Sequence, residues 1–576
     1  MANSGRLDAR ARGAVLDHLA GTEFDVLVIG GGVTGAGTAL DAASRGLRVA
    51  LVEARDLASG TSSRSSKLIH GGLRYLEQFD FKLVSEALRE RDLLVSRLAP
   101  HLVKPVSFLY PLHRKVLERP YVGAGLVLYD ALEGTKRPVP YHRHMTVRGA
   151  LRIAPALKSS GLAGALLYYD AQTDDARYTL TVARTAAAHG AVMATQASAR
   201  ELLRGEDGVR VAGARVHDEE SGRDIDVRAR RVVVCAGVWT DLVHQAGGIQ
   251  AGYRVRMSKG VHIVVPYDAI RSDTGIILRT EKSVLFIIPW GQRWIVGTTD
   301  TDWTGDRAEP TATGKDIDYI LEHANRVLVR PLTRADVIGV YAGLRPLIAA
   351  DENTPTTKLS REHVVDVPVP GLASIAGGKF TTYRLMARDV IDAAVADFDR
   401  WVPASVTDQL PLLGADGLAA ASAEAGRLAE DYDVPCETVE HLLERYGTLA
   451  EEVLELTRTS PDLARPLAEG HPYLGAEVAY AVTHEGALHV EDVLVRRVRL
   501  FLETGEAGAE AAGPVATIMG DLLGWDSGRR AAEIGRYLEL AEADTRALKE
   551  LASADGPHAV MGGPGAAVAS GAAGTG

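Results

Sequence analysis

Residues 24–53 read FDVLVIGGGVTGAGTALDAASRGLRVALVE, and this stretch decides the fold. The apolar run at 26–29 predicts a buried parallel strand. It breaks at Gly30, Gly31 and Gly32, after which residues 33–44 carry helix-compatible spacing. A second apolar run at 49–52 ends on Glu53. Strand, glycine turn, helix and strand follow one another, with Gly30, Gly32 and Gly35 at the G-x-G-x-x-G positions. The first glycine permits the tight turn, the second lets a pyrophosphate approach the backbone, and the third lets helix and strand pack closely. The helix start offers free N–H groups and positive dipole to phosphates. Glu53 lies 23 residues past Gly30, where a carboxylate accepts from ribose hydroxyls and repels a 2′-phosphate, so NADP is disfavoured. A glycine triplet alone carries little weight. With the strand context and the terminal acid it predicts a dinucleotide site.

Working outward, 576 residues exceed one ordinary core and predict two or three domains. Apolar content of 46% and charged content of 24% describe a globular protein. A net charge of −11 argues against nucleic acid as a partner. Two cysteines imply no disulfide framework and fit a reducing cytosol, and Cys235 inside VVVCAG reads as a buried structural thiol. No signal peptide and no spanning segment are expected. No cluster has metal-ligand spacing, so no metal is expected.

Along the chain, residues 1–22 read as a helical or frayed leader. A hydroxyl-rich loop at 56–66 follows the second strand. Residues 81–98 read as an amphipathic helix, the segment from 105 as a strand, and 120–134 as a helix with an aromatic face. A helix is expected over 180–189, alternating strands over 254–297, strand then turn over 337–346, and strand, double glycine and helix over 372–385. Beyond 413 the chain becomes rich in Ala, Glu, Leu and Arg. Glycine-ended strands return near Gly237 and Gly377, which makes the nucleotide domain discontinuous. The expected division is 23–98, 170–253 and 336–400 for the dinucleotide domain, and 99–169 with 254–335 for a substrate domain. A helical domain spans 410–553 and a disordered tail 556–576. Such a long, interrupted grip suits a flavin better than a nicotinamide.

Four motifs carry chemistry. In TSSRSSKLIHGGLRYL, residues 61–76, hydroxyls and backbone donors suit a pyrophosphate, and Arg74 and Tyr75 follow a glycine pair that allows close approach to a flat ring. In GGKFTTYR, residues 377–384, a helix start after Gly378 suits negative charge, with Lys379 at its mouth. Arg345 in YAGLRPL offers a fork for phosphate, although an arginine in that setting is more often a structural pair. His262 in KGVHIVVP is a strand histidine of the kind more often packed in a core, and Lys259 beside it is expected to be solvated.

With these pieces assembled, the sequence resembles the FAD-dependent, respiratory glycerol-3-phosphate dehydrogenases. The likeness rests on IGGGVTGAG at 29–37, TSSRSSKLIHGGLRYLE at 61–77, VSEALRERDLL at 84–94, KGVHIVVP at 259–266, GLRPL at 343–347 and GGKFTTYR at 377–384. The resemblance implies an α/β fold: a Rossmann-like FAD-binding domain, a mixed or antiparallel-sheet substrate domain of the glutathione-reductase and D-amino-acid-oxidase type, and a C-terminal all-α cap. It implies oxidation of sn-glycerol 3-phosphate to dihydroxyacetone phosphate, with electrons leaving through FAD to membrane quinone. It places Gly30, Gly32, Gly35 and Glu53 on the adenosine half. Ser62, Ser63, Ser66, Leu68, Gly237, Gly378 and Thr382 fall along the rest of the cofactor. Arg74, Tyr75 and Lys379 take the substrate, and His262 and Arg345 the chemistry. His262, with the convenient intrinsic pKa, is expected as base or orienting group, and Arg345 in binding and charge stabilisation.

A quinone acceptor requires a bilayer-facing surface, so peripheral attachment to the cytoplasmic face of the membrane is expected. Candidate patches are Arg89 with Arg91, and Arg496, Arg497 and Arg499, each more often a solvated or salt-bridged face. A homodimer is expected. The alternatives are a glycerophosphate oxidase that reduces oxygen, an amine or amino-acid oxidase of the same flavin fold, and a non-enzymatic flavin scaffold.

Overall fold

The computed structural model describes residues 5–72, 80–113, 118–133, 137–281, 284–349 and 362–554. Arg74, Tyr75 and the 556–576 tail lie outside the described residues. Two sheets organise the rest. In the first, strands run in the order His363–Val369, Leu372–Gly377, Asp224–Val234, Glu23–Ile29, Val49–Val52 and Val192–Ala194. The central pairings are parallel, and Glu23–Ile29 lies between Asp224–Val234 and Val49–Val52. Val26, Leu27 and Val28 are fully buried, as a strand covered on both faces requires. The helix Val33–Ser44 packs on this sheet with Asp175–Ala188 and Tyr383–Val395.

The second sheet is mixed. Its path runs Thr301–Trp303, Arg254–Pro266, Arg293–Gly297, Val284–Trp290, Gly275–Arg279, Lys104–Leu112, Gly164–Gln172 and Leu68–Ile69. Gly339–Ala349 pairs antiparallel with Arg254–Pro266 in an unbroken register from Arg254↔Ala349 to Val264↔Gly339. Sequence reading ended this strand in a turn at Pro346 and assigned it to the dinucleotide domain. The ladder carries it through the proline and into the second sheet. Similarly, the helix expected at 180–189 begins at Asp175, because the Asp174 side chain caps it by accepting from the Arg177 N–H.

The leader is not frayed where it is described. A helix, Arg12–Gly21, is pinned by an Arg12–Asp218 ion pair of 2.7 Å, and the Leu7 N–H donates to the His484 carbonyl in the C-terminal domain.

The C-terminal helices, Leu418–Ala423 through Ser527–Ala554, dock on the first domain through buried charges. Asp56 accepts from Arg496 Nε (2.6 Å) and from both terminal nitrogens of Arg497 (2.7 and 2.8 Å). Arg499 pairs with Asp175 at 2.9 Å. These arginines are therefore interior ion pairs and not a membrane patch. The second candidate patch fares no better, since Arg91 is fully buried against Asp170. Asp56→Ala would remove the carboxylate that both guanidiniums share, leaving Arg496 to Glu491 and Asp492 and Arg497 to Glu485 at 3.8 Å, and is expected to cost about 3–5 kcal/mol, read as a fall in the urea or thermal midpoint.

His489 joins the same interface. It contacts Glu220 of the first domain at 3.0 Å and Glu533 of the last helix at 3.1 Å. Burial opposes its protonation, but hydrogen bonds to Glu220 and Glu533 prevail and raise its pKa to about 10. A raised folded-state value means that its stabilisation is complete below about pH 6.5 and disappears as pH climbs toward 10. The urea midpoint of the native protein should therefore fall between neutral and alkaline pH by more than that of His489→Gln.

Candidate active site

One cavity of about 1280 Å³ lies between the two sheets, larger than most small-molecule pockets. The first sheet contributes Ile29, Gly30, Val52, Glu53 and Ile375 to its wall, and the second contributes His262, Ile277, Phe286 and Arg345. This is where an open α/β sheet binds a ligand, at the carboxyl ends of neighbouring parallel strands.

At the first sheet the glycine turn is sterically obligatory. Gly30 has φ +116°, and a Cβ on Gly35 would lie 1.9 Å from the Gly30 carbonyl oxygen. The Val33 N–H at the helix start donates to Ser62 Oγ (2.9 Å), so the hydroxyl loop is tied to the phosphate-binding end of the helix. Glu53 accepts from the Gly31 N–H (2.5 Å) and the Arg55 N–H (2.9 Å). Burial raises the Glu53 carboxyl and those two bonds oppose it. Gly32, Ser66, Leu68, Gly237, Gly378 and Lys379 also line the cavity. The residues present thus form a cradle for a dinucleotide: a Cβ-free turn, a helix N-terminus at the cavity wall and an acid at the second strand's end.

The second sheet supplies the opposite wall. Register places Ser258 opposite Arg345, Gly260 opposite Gly343 and His262 opposite Tyr341, so these six share one face. Gly260 and Gly343, lying between Arg345 and His262, make room for protein atoms packed against the strands: a Cβ at Gly343 would meet the Arg64 carbonyl oxygen at 2.3 Å. A Cβ at Gly260 would meet the Arg345 guanidinium at 2.5 Å. Arg345 donates to Thr298 Oγ1 (3.2 Å), the Thr299 carbonyl (3.3 Å) and Ser258 Oγ (3.4 Å). His262 is buried, with Nε2 2.8 Å from Ser66 Oγ and its ring stacked on Tyr341 at 4.8 Å. Burial holds its imidazole well below the usual histidine range, and the Arg345 and Lys67 charges add to the effect. The ring is therefore uncharged at neutral pH.

Several expected residues stand elsewhere. Ser63 is buried off the cavity, where its hydroxyl donates to the Gly60 carbonyl (3.4 Å) and its own carbonyl accepts from Lys67 and Arg499. Thr382 also lies off the cavity wall, its hydroxyl donating to the Lys379 carbonyl (3.4 Å). Thr381 takes its place and accepts from the His70 N–H at 3.1 Å. A short 3-10 turn, Phe380–Thr382, separates Gly378 from the helix that sequence reading started directly there. Gly35 acts from behind the turn and not at the wall. Lys259 is buried against Asp316 (2.8 Å), not solvated, because odd-numbered residues of its strand face away from the cavity.

Sequence reading missed Asp170. It lines the cavity and accepts from Tyr129 Oη (2.7 Å) and Arg91 (3.1 Å). It also missed Tyr341 and Lys67. A lone aspartate or tyrosine at a strand position gives no signal of its own. Among the described residues, no group of His, Cys, Asp or Glu is arranged to hold a metal ion.

Residues 25–388 match the FAD dependent oxidoreductase family, and residues 405–530 match the C-terminal domain of alpha-glycerophosphate oxidase. The chain is 54% identical to glycerol-3-phosphate dehydrogenase of Mycobacterium leprae, over 93% of this chain and 91% of that one. It is 38% identical to the human mitochondrial glycerol-3-phosphate dehydrogenase, over 89% of this chain and 72% of that protein. The chain belongs to the FAD-dependent glycerol-3-phosphate dehydrogenase family. The solved glycerol-3-phosphate dehydrogenase from Bacillus halodurans, a complex with FAD, superposes with a TM-score of 0.78 at 28% identity, covering 93% of this chain and 98% of that one. The two family segments of this dehydrogenase-family chain coincide with its two-sheet body and its helical cap. Its cofactor is FAD, and the Gly30–Glu53 cradle is the part of the cavity whose residues fit the adenosine half.

Proposed function

We propose that this flavoenzyme oxidises sn-glycerol 3-phosphate to dihydroxyacetone phosphate by hydride transfer to FAD, and passes the electrons to a membrane quinone. The observation that carries the reading is the pairing of a guanidinium and an uncharged imidazole on one sheet face, separated by two glycines, at the wall of the FAD cavity. Arg345, with Lys379 and Arg74, binds the phosphate dianion. Tyr75 is proposed as a further substrate contact. Fixing the phosphate fixes the secondary carbinol, so the reaction becomes effectively intramolecular. His262 takes the hydroxyl proton as the C–H hydride leaves. A dianion beside Arg345 also offsets the charge that depresses His262, which brings its pKa closer to that of a working base in the complex. FAD, when bound, supplies the two-electron acceptor for that hydride. The remaining cofactor contacts are Gly30, Gly32, Glu53, Ser62, Ser66, Leu68, Gly237 and Gly378.

The quinone reading is supported by the cavity's rim. Helix Glu118–Glu133 borders the cavity with Val122, Gly125 and Leu128, while Tyr121 and Val127 are 61% and 56% exposed. Residues 113–152 carry eight Lys or Arg against three Asp or Glu, in a chain of net charge −11. A basic segment with protruding apolar groups suits an anionic bilayer surface. No helix among the described residues is long and apolar enough to cross a membrane. Attachment at the inner face of the cell membrane is therefore read as peripheral, and a homodimer remains part of the proposal.

Turnover of sn-glycerol 3-phosphate with a short-chain quinone should greatly exceed turnover with oxygen. Stoichiometric peroxide in air would make the protein an oxidase instead. Val127→Asp should weaken co-sedimentation with anionic vesicles by about tenfold and leave flavin reduction unchanged.

A further inference from the structure

The turn that presents Ser66 to His262 is held from behind by charges that line no part of the cavity. Asp175 is fully buried. Its Oδ1 accepts from Lys67 Nζ (2.7 Å), Arg499 (2.9 Å) and the Ala176 N–H (3.0 Å). Its Oδ2 accepts from the Ser65 N–H (2.9 Å) and the Ser65 hydroxyl (2.7 Å). Lys67 is itself 0% exposed and adopts φ +58°, a conformation uncommon outside glycine. That fold-back lets its ammonium reach the Ser63 carbonyl at 3.2 Å as well as Asp175. The carbonyl of Ser65 accepts from Tyr341 Oη (2.9 Å), and the Tyr341 ring stacks on His262 with an interplanar angle of 10°. Lys67 Nζ lies 5.2 Å from the centroid of the same ring.

We propose that Asp175 and Lys67 are positioning residues for His262, fixing through Ser65, Ser66 and Tyr341 which nitrogen and which ring face meet the substrate hydroxyl. Arg499 is the helical cap's contribution to this cluster. The proposal rests on His262 being the proton acceptor. A buried ion cluster that served the fold alone would not need a left-handed lysine at the residue next to Ser66. Nor would it need both hydrogen-bond donors of Ser65 on one carboxylate. The arrangement ties the orientation of one imidazole to one charge cluster.

The charged groups facing His262 are Lys67 from the turn and Arg345 from the adjoining strand, and the Tyr341 phenol beneath the ring is neutral. Lys67 faces Asp174, Asp175 and Arg499, and burial together with Arg499 lowers its pKa to about 8. Both cations near His262 disfavour the imidazolium, so removing one makes protonation of the ring easier.

The test is anaerobic stopped-flow reduction of the holoenzyme flavin by sn-glycerol 3-phosphate as a function of pH. In Lys67→Met the acid limb should move to higher pH. The loss should be about tenfold at the acid end, with recovery toward the native rate at the alkaline end. Lys67→Arg should keep the native limb. A native rate at every pH, with the limb unmoved, would overturn the proposal. If Lys67→Met fails to retain flavin, Ser65→Ala decides. A limiting rate lowered by about tenfold with unchanged substrate affinity supports positioning, and a native rate overturns it. An undiminished rate in His262→Ala would instead remove the proton-acceptor reading itself, which separates the two failures.

Discussion

Arg345→Met is expected to lower kcat/KM for sn-glycerol 3-phosphate by about 10³-fold, because two charge-assisted hydrogen bonds to a phosphate are together worth about 4 kcal/mol. The side chain is nearly isosteric in length, and its surroundings are hydroxyl and carbonyl oxygens of Ser258, Thr298 and Thr299, which water can re-solvate through the cavity. Flavin content and the oxidised spectrum should therefore stay native while substrate affinity collapses. Arg345→Lys should recover part of the loss, since an ammonium keeps the charge and forfeits the fork. Steady-state kinetics and substrate titration of the flavin spectrum measure both. A change of less than about threefold would make Arg345 a structural strand residue.

Gly35→Ala is expected to abolish cofactor binding. The added methyl would sit 1.9 Å from the Gly30 carbonyl oxygen, in a turn where Gly30 holds φ +116° and where a Cβ on Gly30 would itself meet the Cys235 carbonyl oxygen at 2.6 Å. Neither backbone can retreat, because Glu23–Ile29 is hydrogen-bonded between two parallel neighbours. Purified protein should contain less than about a tenth of the native flavin, measured by absorbance after denaturation, and should unfold at lower temperature. Gly13→Ala is the control. Gly13 lies in the leader helix with open space around its Cβ position, so the substitution should be neutral or mildly stabilising. Native flavin content in Gly35→Ala would show that the turn does not close as described.

What the sequence displayed and what it concealed divide along physical lines. The Gly30–Glu53 unit was legible because hydrophobic period and glycine spacing are local, and because only a Cβ-free turn fits between strand and helix. His262 and Arg345 were legible only as candidates. Their shared face depends on the register between Arg254–Pro266 and Gly339–Ala349, and the ladder pairs Ser258 with a residue 87 positions away. Arg496, Arg497 and Arg499 read as a surface stripe because spacing does not distinguish a solvated charge from a buried one. Their partner Asp56 stands 440 residues distant from Arg496. Lys259 misled for the same reason, its partner Asp316 lying beyond four intervening strands. Ser63 and Thr382 were chosen as hydroxyls in the right motif. Of the chosen serines Ser62 and Ser66 face the cavity and Ser63 does not, and beside Thr382 it is Thr381, which was not chosen, that faces it.

The central claim is that a phosphate-bearing secondary alcohol is oxidised at this cavity. Anaerobic addition of sn-glycerol 3-phosphate to the purified holoenzyme tests it most directly, with loss of oxidised-flavin absorbance followed in real time. The account predicts rapid, complete bleaching by this compound, much slower bleaching by glycerol, and none by amino acids. A flavin that stays oxidised with sn-glycerol 3-phosphate, or that is bleached by an amino acid, would contradict it.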